Sequence, residues 1–326
     1  MKNLITILFV ALTLTSCYDD YITDYKFSSV YFTYQYDVRT FVVGEGMKFD
    51  FGVGLGGVTK NTKQRIVSYE IDPSLITPEA LAAMKASSLT YIKTATTPVT
   101  AFSLLPSNFY SLTDGAKFVI EKGQQVGRVT IRPDSAAFLA DPKTLDPNYV
   151  LPLRITGSST ADSILPLKKT TIIGVKYENM LFGNYWHGGR VIRYTPANVL
   201  KDTIKYYTAI PQAENKVWVL KTVAPFQLTI NGYANVTSTK PELKLTLNSD
   251  GSVSVDRATG STFAYSAEGT STFNKAKLLQ NRKIFLSYKY TDTSGNICYA
   301  TDTLTFRNRI RDGVNEWQDE NPANYN

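Results

Sequence analysis

One cysteine near the start of the chain has the sequence context of a lipid attachment site. Cys17 directly follows the run Leu14-Thr15-Ser16, which ends an apolar stretch of the length found in secretory leaders and too short for a bilayer-spanning helix. A thiol directly after the cleavage point of a bacterial lipobox accepts diacylglycerol. We therefore predict a lipoprotein signal peptide over residues 1–16, lipid attachment at Cys17 and no spanning segment in the mature chain.

The remaining sequence offers few groups for catalysis. His187 is the one histidine, so two-histidine catalytic devices and histidine-rich metal sites are excluded. We interpret it as a hydrogen-bonded residue at the domain junction. No nucleophile elbow, phosphate-binding glycine loop, Cys/His metal spacing or calcium loop occurs. The acids Asp312, Glu316, Asp319 and Glu320 lie in what turn residues mark as a solvated terminal stretch. We predict no enzyme activity, no metal site and no cofactor.

The large aromatic side chains of the second half suggest a different chemistry. A sugar-binding site needs an exposed ring that stacks on the apolar face of a sugar, and polar groups that bind its hydroxyls. The candidate glycan-binding residues are Trp186, Tyr185, Tyr206, Tyr207, Trp218 and Trp317. Adjacent strand residues point to opposite faces, so one residue of each neighbouring pair should face outward.

The three tryptophans differ in their sequence context. Trp186 is the first choice for a platform. Trp218 lies between two valines, which is typical of a core residue. Trp317 follows the last predicted strand, where its side chain could close the end of a barrel.

Composition indicates a β protein of two domains. Tyr (21) and Phe (16) are plentiful, and long Ala/Glu/Leu-rich stretches are nearly absent. The chain of 326 residues is long enough for two hydrophobic cores. With Cys17 committed to lipid, Cys298 has no partner for a disulfide. The net charge of +7 is spread along the chain, so we predict no nucleic-acid partner.

The first half predicts an immunoglobulin-like β-sandwich over residues 27–178. Thr77 can cap one short helix, with Pro78 in its first turn. Seven short strands with Gly, Pro and Asp between them are typical of such a sandwich. The predicted strands are Phe27–Tyr34, Phe49–Leu55, Arg65–Ile71, Lys117–Glu121, Gly127–Arg132, Tyr149–Thr156 and Thr171–Lys176.

The second half, residues 179–317, predicts an antiparallel sheet. Hairpin turns are expected at Asn248–Gly251 and Thr293–Asn296, where Gly or Asn can take a positive φ. Because open sheet edges invite aggregation, we expect the sheet to close into a lipocalin-like barrel or to fold as a sandwich. Residues 318–326 form a predicted tail. Strands are predicted at Lys216–Lys221, Phe226–Tyr233, Leu243–Leu247, Ser252–Val255, Ile284–Tyr290 and Thr301–Phe306.

Several stretches of the chain resemble a known family. The first half is similar to an N-terminal domain of unknown function that is common among Bacteroidetes surface lipoproteins. The end of the second half, Asp302–Trp317, is similar to the β-rich C-terminal domain that often accompanies it. The resemblance in the first half rests on Leu104–Leu112, Ile120–Gly123, Gly127–Val129 and Tyr149–Ile155.

This resemblance implies a cellular location and partner proteins. Such proteins are typically encoded in polysaccharide-utilisation loci, beside an outer-membrane transporter pair of the starch-utilisation type and secreted glycosidases. Some relatives continue into a chitinase-like barrel, for which this chain has no room. Asp19 and Asp20, in the acidic tether 17–26, resemble the surface-export signal of Bacteroidetes lipoproteins. A plain solvated tether would instead leave the protein facing the periplasm.

We therefore expect an outer-membrane, lipid-anchored protein at the cell surface that binds a glycan without catalysis. Its expected partners are a glycan or oligosaccharide, the transporter pair and, through the lipid alone, the membrane. Two alternatives come from other classes. A fimbrial subunit or adhesin would polymerise by donating a strand to a neighbour's sheet. An unrecognised glycosidase, the less favoured alternative, would need two carboxylates converging in a cleft.

Overall fold

The computed structural model describes residues 27–113, 115–206 and 215–319. The predicted signal peptide, the tether with Cys17, Tyr207 and most of the predicted tail lie outside the described residues. The described chain is mostly strand, which confirms the all-β prediction. Within these ranges, no helix combines the length and apolar character that crossing a bilayer requires.

The N-terminal part is a two-sheet β-sandwich. One sheet has the order β10-β1-β3-β8-β6, the other has the order β2-β11-β9-β4-β7, and β5 pairs with β9. Side chains of both sheets meet in one aromatic core, where Phe51 and Phe118 pack edge to face at 5.7 Å. The strands are β1 (Ser29–Phe32), β2 (Tyr36–Val43), β3 (Phe49–Gly56), β4 (Arg65–Ile71), β5 (Ser103–Leu104), β6 (Tyr110–Leu112), β7 (Lys117–Ile120), β8 (Val126–Pro133), β9 (Tyr149–Ser158), β10 (Ser163–Ile164) and β11 (Thr170–Asn179).

The start of the sandwich differs from the sequence prediction. One strand was predicted over Phe27–Tyr34, but the chain forms β1 in one sheet and then β2 in the other, parallel to β11. Strand β2 lacks an alternating pattern because both of its faces are covered. Phe41 lies in the sandwich core, and Val42 lies in the core of the C-terminal part.

Three short α-helices lie beside the sandwich: α1 (Pro78–Lys85), α2 (Thr90–Thr96) and α3 (Ser135–Ala140). Helix α1 begins as predicted, since the Thr77 hydroxyl accepts a hydrogen bond of 3.2 Å from the Ala80 amide. Helix α2 was not predicted, and no side chain caps it. Its threonines favour strands, so its sequence gives a weak helix signal.

The C-terminal part is built around one large antiparallel sheet. The strands of the C-terminal part are β12 (Gly183–Tyr194), β13 (Leu200–Tyr206), β14 (Lys216–Ala224), β15 (Gln227–Ile230), β16 (Gly232–Tyr233), β17 (Val236–Thr237), β18 (Leu243–Leu247), β19 (Val253–Arg257), β20 (Ser266–Ala267), β21 (Thr272–Phe273), β22 (Lys283–Thr291), β23 (Ile297–Arg311) and β24 (Val314–Glu316).

This sheet curves into a nearly closed barrel. The strand order is β19-β18-β15-β14-β12-β23-β22-β20, and β21 also pairs with β22. Ser252, next to β19, bridges to Thr272 on β21 and so joins the two ends of the sheet. Both predicted hairpins form, with positive φ at Gly251 and Gly295. Closure removes most of the exposed sheet edge.

A buried ion cluster joins the sandwich to the barrel. Glu45, just after β2, accepts two hydrogen bonds of 2.8 Å from the Arg309 guanidinium and lies 2.7 Å from Nη1 of Arg282. Burial acts to raise the pKa of Glu45, but the hydrogen bonds and charges of the two arginines outweigh it and lower the pKa. Arg309 is buried, although arginine side chains are mostly exposed in folded proteins.

Two acids near the C-terminus belong to the same junction. Glu316 pairs with both Arg309 and Arg311. The Asp312 carboxylate accepts a 2.7 Å hydrogen bond from the Thr40 hydroxyl of β2. The interpretation of this stretch as solvated is therefore wrong for Glu316 and Asp312, because residues 309–316 fold back onto the sandwich.

Candidate functional site

Three neighbouring barrel strands, β12, β23 and β22, carry a row of polar residues on their outer face. Arg190 is paired with Thr301, and Thr301 is paired in turn with Ser287. Alternate residues of each strand face the same side, so the exposed Arg190 and Thr301 mark the outward positions. We call this surface the outer face.

The next row of the outer face contains an exposed aromatic ring. Gly188 of β12 is paired with Thr303, and Thr303 is paired with Phe285. The Phe285 side chain is 40% exposed, although large aromatic side chains are mostly covered in folded proteins. A hydroxyl group therefore stands directly beside an accessible ring, at the roughly 5 Å spacing of paired strand residues.

These two rows form a groove of about 500 Å³ on the outer face. We call it the outer groove. The side chains that face outward around it are Arg190, Lys205, Thr270, Phe285, Ser287, Thr301 and Thr303. One aromatic ring, four hydroxyls and two cations provide the stacking surface and the polar groups that a sugar site requires.

Trp186 lies on the same outer face, one row from the groove. It is partly buried and is paired with Thr305. The Arg307 guanidinium stands 4.6 Å from the centroid of its ring, a cation–π contact that holds the ring against the sheet. Sheet spacings put Trp186 and Phe285 roughly 12 Å apart between Cα atoms, so an oligosaccharide rather than one sugar would touch both rings. Trp186 as a platform stays a prediction.

Tyr185 and Trp218 lie in the barrel core, with no exposed surface. The Tyr185 ring packs edge to face on Phe306 at 5.5 Å, and Trp218 stacks on His187 at 3.5 Å. A ring enclosed in the core cannot stack on an external sugar, so neither residue is a glycan platform. The outward member of the Tyr185/Trp186 pair is Trp186, because alternation places its neighbour inside.

Tyr206 points to the barrel interior, where it forms a polar cluster with Asp302. Its hydroxyl donates a hydrogen bond to Asp302, and the Tyr288 hydroxyl donates another of 2.6 Å. Burial and then the negative charge of Asp302 raise the pKa of both tyrosines well above its usual value. The hydroxyl of Tyr206 is therefore committed to Asp302, although part of the residue reaches the outer groove.

His187 belongs to this inner cluster. Its ring lies between Trp218, at 3.5 Å, and Tyr206, at 5.0 Å. Its Nε2 atom is 3.2 Å from Oδ1 of Asp302, close enough for an ion pair but without hydrogen-bond alignment. The residue was placed at the domain junction from sequence; the structure instead encloses it in the barrel, where its contacts are those of a packing residue.

Trp317, the last candidate, does not lie where the sequence predicted. Trp317 follows β24 and is 57% exposed, so it does not close the end of the barrel. Across the described ranges, no three His, Cys, Asp or Glu side chains come together as a metal site.

Phe285 was missed in the sequence, although a signal was present. Ile284, Leu286 and Tyr288 alternate with it and point inward. The same alternation assigns Phe285 to the outside, where an apolar ring calls for an explanation. The selection of Tyr and Trp residues as platforms left this phenylalanine out.

Comparisons with known proteins agree with the fold. Residues 24–162 match a family described as "-like, N-terminal domain". A Bacteroides ovatus crystal structure of unknown function shares the fold, with a TM-score of 0.63, 22% identity and coverage of 91% of this chain and 99% of that chain. A Bacteroides ovatus crystal structure of a multidomain protein including DUF1735 has 13% identity and a TM-score of 0.42, and the match covers 90% of this chain and 100% of that protein's chain.

No curated protein matches the chain. The family match and the shared fold support the resemblance to a Bacteroidetes domain of unknown function.

Proposed function

We propose that this protein is an outer-membrane surface lipoprotein that binds a glycan through the outer groove, as a non-catalytic accessory of a polysaccharide-utilisation system. One observation carries the binding part of the proposal. The exposed Phe285 ring stands beside the hydroxyls of Thr303 and Ser287, with the cationic Arg190 on the same wall. The lipid anchor, the surface location and the transporter pair rest on the sequence around Cys17 and on the family resemblance.

The groove's single acid supports binding over glycoside cleavage. A glycosidase needs two carboxylates facing the scissile bond, one of them able to donate a proton. Among the described residues that line the outer groove, Asp302 is the one acid, and its side chain is buried. Two tyrosine hydroxyls engage its oxygens from the interior. The Asp302 carboxylate therefore points away from a glycan bound in the outer groove.

A binding measurement with matched variants tests the proposal. Residues 18–326, which keep the entire described chain, would be titrated by calorimetry with plant, host and fungal polysaccharides. Phe285→Ala should weaken binding by about five- to thirtyfold, since loss of a stacked ring costs about 1–2 kcal/mol. Trp186→Ala tests whether the ligand reaches the second ring.

Phe226→Ala provides the control, because Phe226 is also exposed but lies at the turn between β14 and β15. It should bind as wild type does. Equal affinity of the Phe285→Ala protein for every ligand that binds would refute the outer groove as the site.

A second candidate, the assembly subunit, has one observation in its favour. Strand β13 pairs with β12 on one side, and its other side has no partner among the described residues. Leu200 at its start is 59% exposed. An open strand edge can accept a donated strand. Ladders on non-boiled gels of the native protein would favour this candidate, and a monomer by light scattering would oppose it.

A further inference from the structure

We propose that the outer groove selects an anionic glycan, one that carries carboxylate or sulfate groups. This inference rests on the proposed glycan-binding function and adds the class of ligand. It starts from two cations, Arg190 of β12 and Lys205 of β13, which are paired with each other across the two strands. Both side chains are exposed and both line the groove. Paired strand residues stand roughly 5 Å apart, so the two positive charges act on one ligand group.

Neither cation has an acidic partner in the part of the chain that the structure describes. In the described ranges, no carboxylate forms an ion pair with Arg190 or Lys205. Two cations nearby are paired with acids: Arg193 of β12 binds Asp202, and Lys289 of β22 lies 2.9 Å from Glu268. Arg190 and Lys205 therefore leave two positive charges in the groove.

Asp302, the one acid among the described lining residues, does not remove this charge from the groove. The Asp302 side chain is fully buried on the inner side of β23, where Tyr206 and Tyr288 donate hydrogen bonds to its two oxygens. A ligand in the groove faces the guanidinium and the ammonium, not that carboxylate. The hydrogen bond to Asp302 holds the Tyr206 side chain on the inner side of β13. Because adjacent strand residues point to opposite faces, Lys205 points outward.

The arrangement of groups fits an acidic sugar better than a neutral one. An arginine side chain can bind a carboxylate or sulfate with two parallel hydrogen bonds, and a lysine adds a mobile point charge. The Thr301 hydroxyl, paired with Arg190, can bind a ring hydroxyl of the same sugar. Phe285 supplies the stacking surface. A nucleic-acid site would instead need a longer row of cations that follows the phosphate backbone of the bound nucleic acid.

Pairs of polymers that differ in their charged groups test whether the groove recognises the acidic group or the sugar alone. Residues 18–326 would be titrated with polygalacturonate and with its methyl ester, and with dextran sulfate and with dextran. We expect at least about tenfold tighter binding of an acidic member than of its matched partner, with affinity falling as salt rises. The pair that shows the difference identifies carboxylate or sulfate.

Variants assign the effect to the groove. Arg190→Gln with Lys205→Gln should weaken binding of the acidic polymer about tenfold more than binding of its uncharged partner. Lys122→Gln with Arg132→Gln is the control, because it removes the same charge from exposed positions of the sandwich. It should bind as wild type does.

The remaining outcomes are distinct. Equal binding of acidic and uncharged polymers, lost in Phe285→Ala, would overturn the anionic class and leave glycan binding standing. Binding of polyglutamate or poly-dT as tightly as any glycan, insensitive to Phe285→Ala, would reduce the groove to a non-specific cationic surface and overturn the inference. No glycan bound by the wild type would overturn the proposed function itself.

Discussion

The Asp302 carboxylate lies in the space that a side chain at Gly189 would occupy. A Cβ atom at position 189 would be 2.7 Å from Oδ1 of Asp302 and would also collide with the carbonyl oxygen of Thr301. Gly189 is paired with Tyr206 on one side and with Asp302 on the other. The missing side chain therefore lets the Tyr206 hydroxyl reach across β12 to the carboxylate. The outer groove and the inner cluster are two faces of these strands.

Replacement of this glycine should destabilise the barrel. Gly189→Ala forces β12 away from β23, and overpacking of this kind costs about 1–3 kcal/mol. Urea unfolding measures the change. Gly157→Ala is the control, since a Cβ there meets nothing within 4 Å. An equal effect of the two substitutions would contradict the close approach of β12 and β23.

The inner cluster predicts a loss of stability in alkali. The folded-state pKa of Tyr288 is raised by burial first and then by Asp302, whereas a tyrosine in the unfolded chain has a pKa near 10. The stability it contributes is fully present below the unfolded value and is lost as the pH rises above it. We expect the free energy of unfolding to fall above pH 10, by up to about 1.4 kcal/mol per pH unit for each such tyrosine.

Tyr288→Phe should make this alkaline decline shallower, because it removes one group that must ionise on unfolding. Urea titrations at several pH values from 7 to 11 measure both slopes. Parallel slopes in the two proteins would show that Tyr288 does not ionise on unfolding in this range.

The junction cluster predicts a large effect of a small substitution. Glu45→Gln removes the buried carboxylate that the guanidinium groups of Arg282 and Arg309 share and leaves Arg309 with Glu316 alone, which should cost about 3 kcal/mol of stability. Glu268→Gln breaks an exposed pair with Lys289 and should cost less than about 1 kcal/mol. Denaturation of both variants gives the comparison. Similar losses would mean that Glu45 does not hold the junction.

The Asp312 carboxylate should make the free energy of unfolding fall as the pH rises. This is opposite in sign to the effect of a surface carboxylate. Burial raises its pKa to about 6, although the Thr40 hydrogen bond acts to lower it. The folded chain then binds more protons than the unfolded chain between about pH 4 and 6, so this group's contribution is present at low pH and lost as the pH rises.

Asp312→Asn should remove that penalty while keeping the positive φ, which asparagine tolerates. We expect the variant to gain about 1–3 kcal/mol relative to wild type between pH 4 and pH 7. Thermal unfolding at both pH values measures it. A constant difference between the two proteins would place the Asp312 pKa near its ordinary value.

The sequence by itself determined the local features of this protein. Strand β4 has the predicted bounds Arg65–Ile71, and α1 begins at the predicted cap Thr77. Alternation also predicted that one of Tyr185 and Trp186 faces outward. These features depend on neighbours within a few residues, because strand period and helix capping are local properties of the backbone.

Only the tertiary structure decided which distant residues meet. Glu45 and Arg309 are separated by 264 positions, so nothing in either local sequence shows that the charge of one is buried against the other. The outer groove likewise depends on the pairing of β12 with β23 and of β23 with β22, which sets Arg190 beside Thr301 and Phe285 beside Thr303. Sheet register is set by packing of the whole barrel, and a shift of one residue would turn Phe285 into the core.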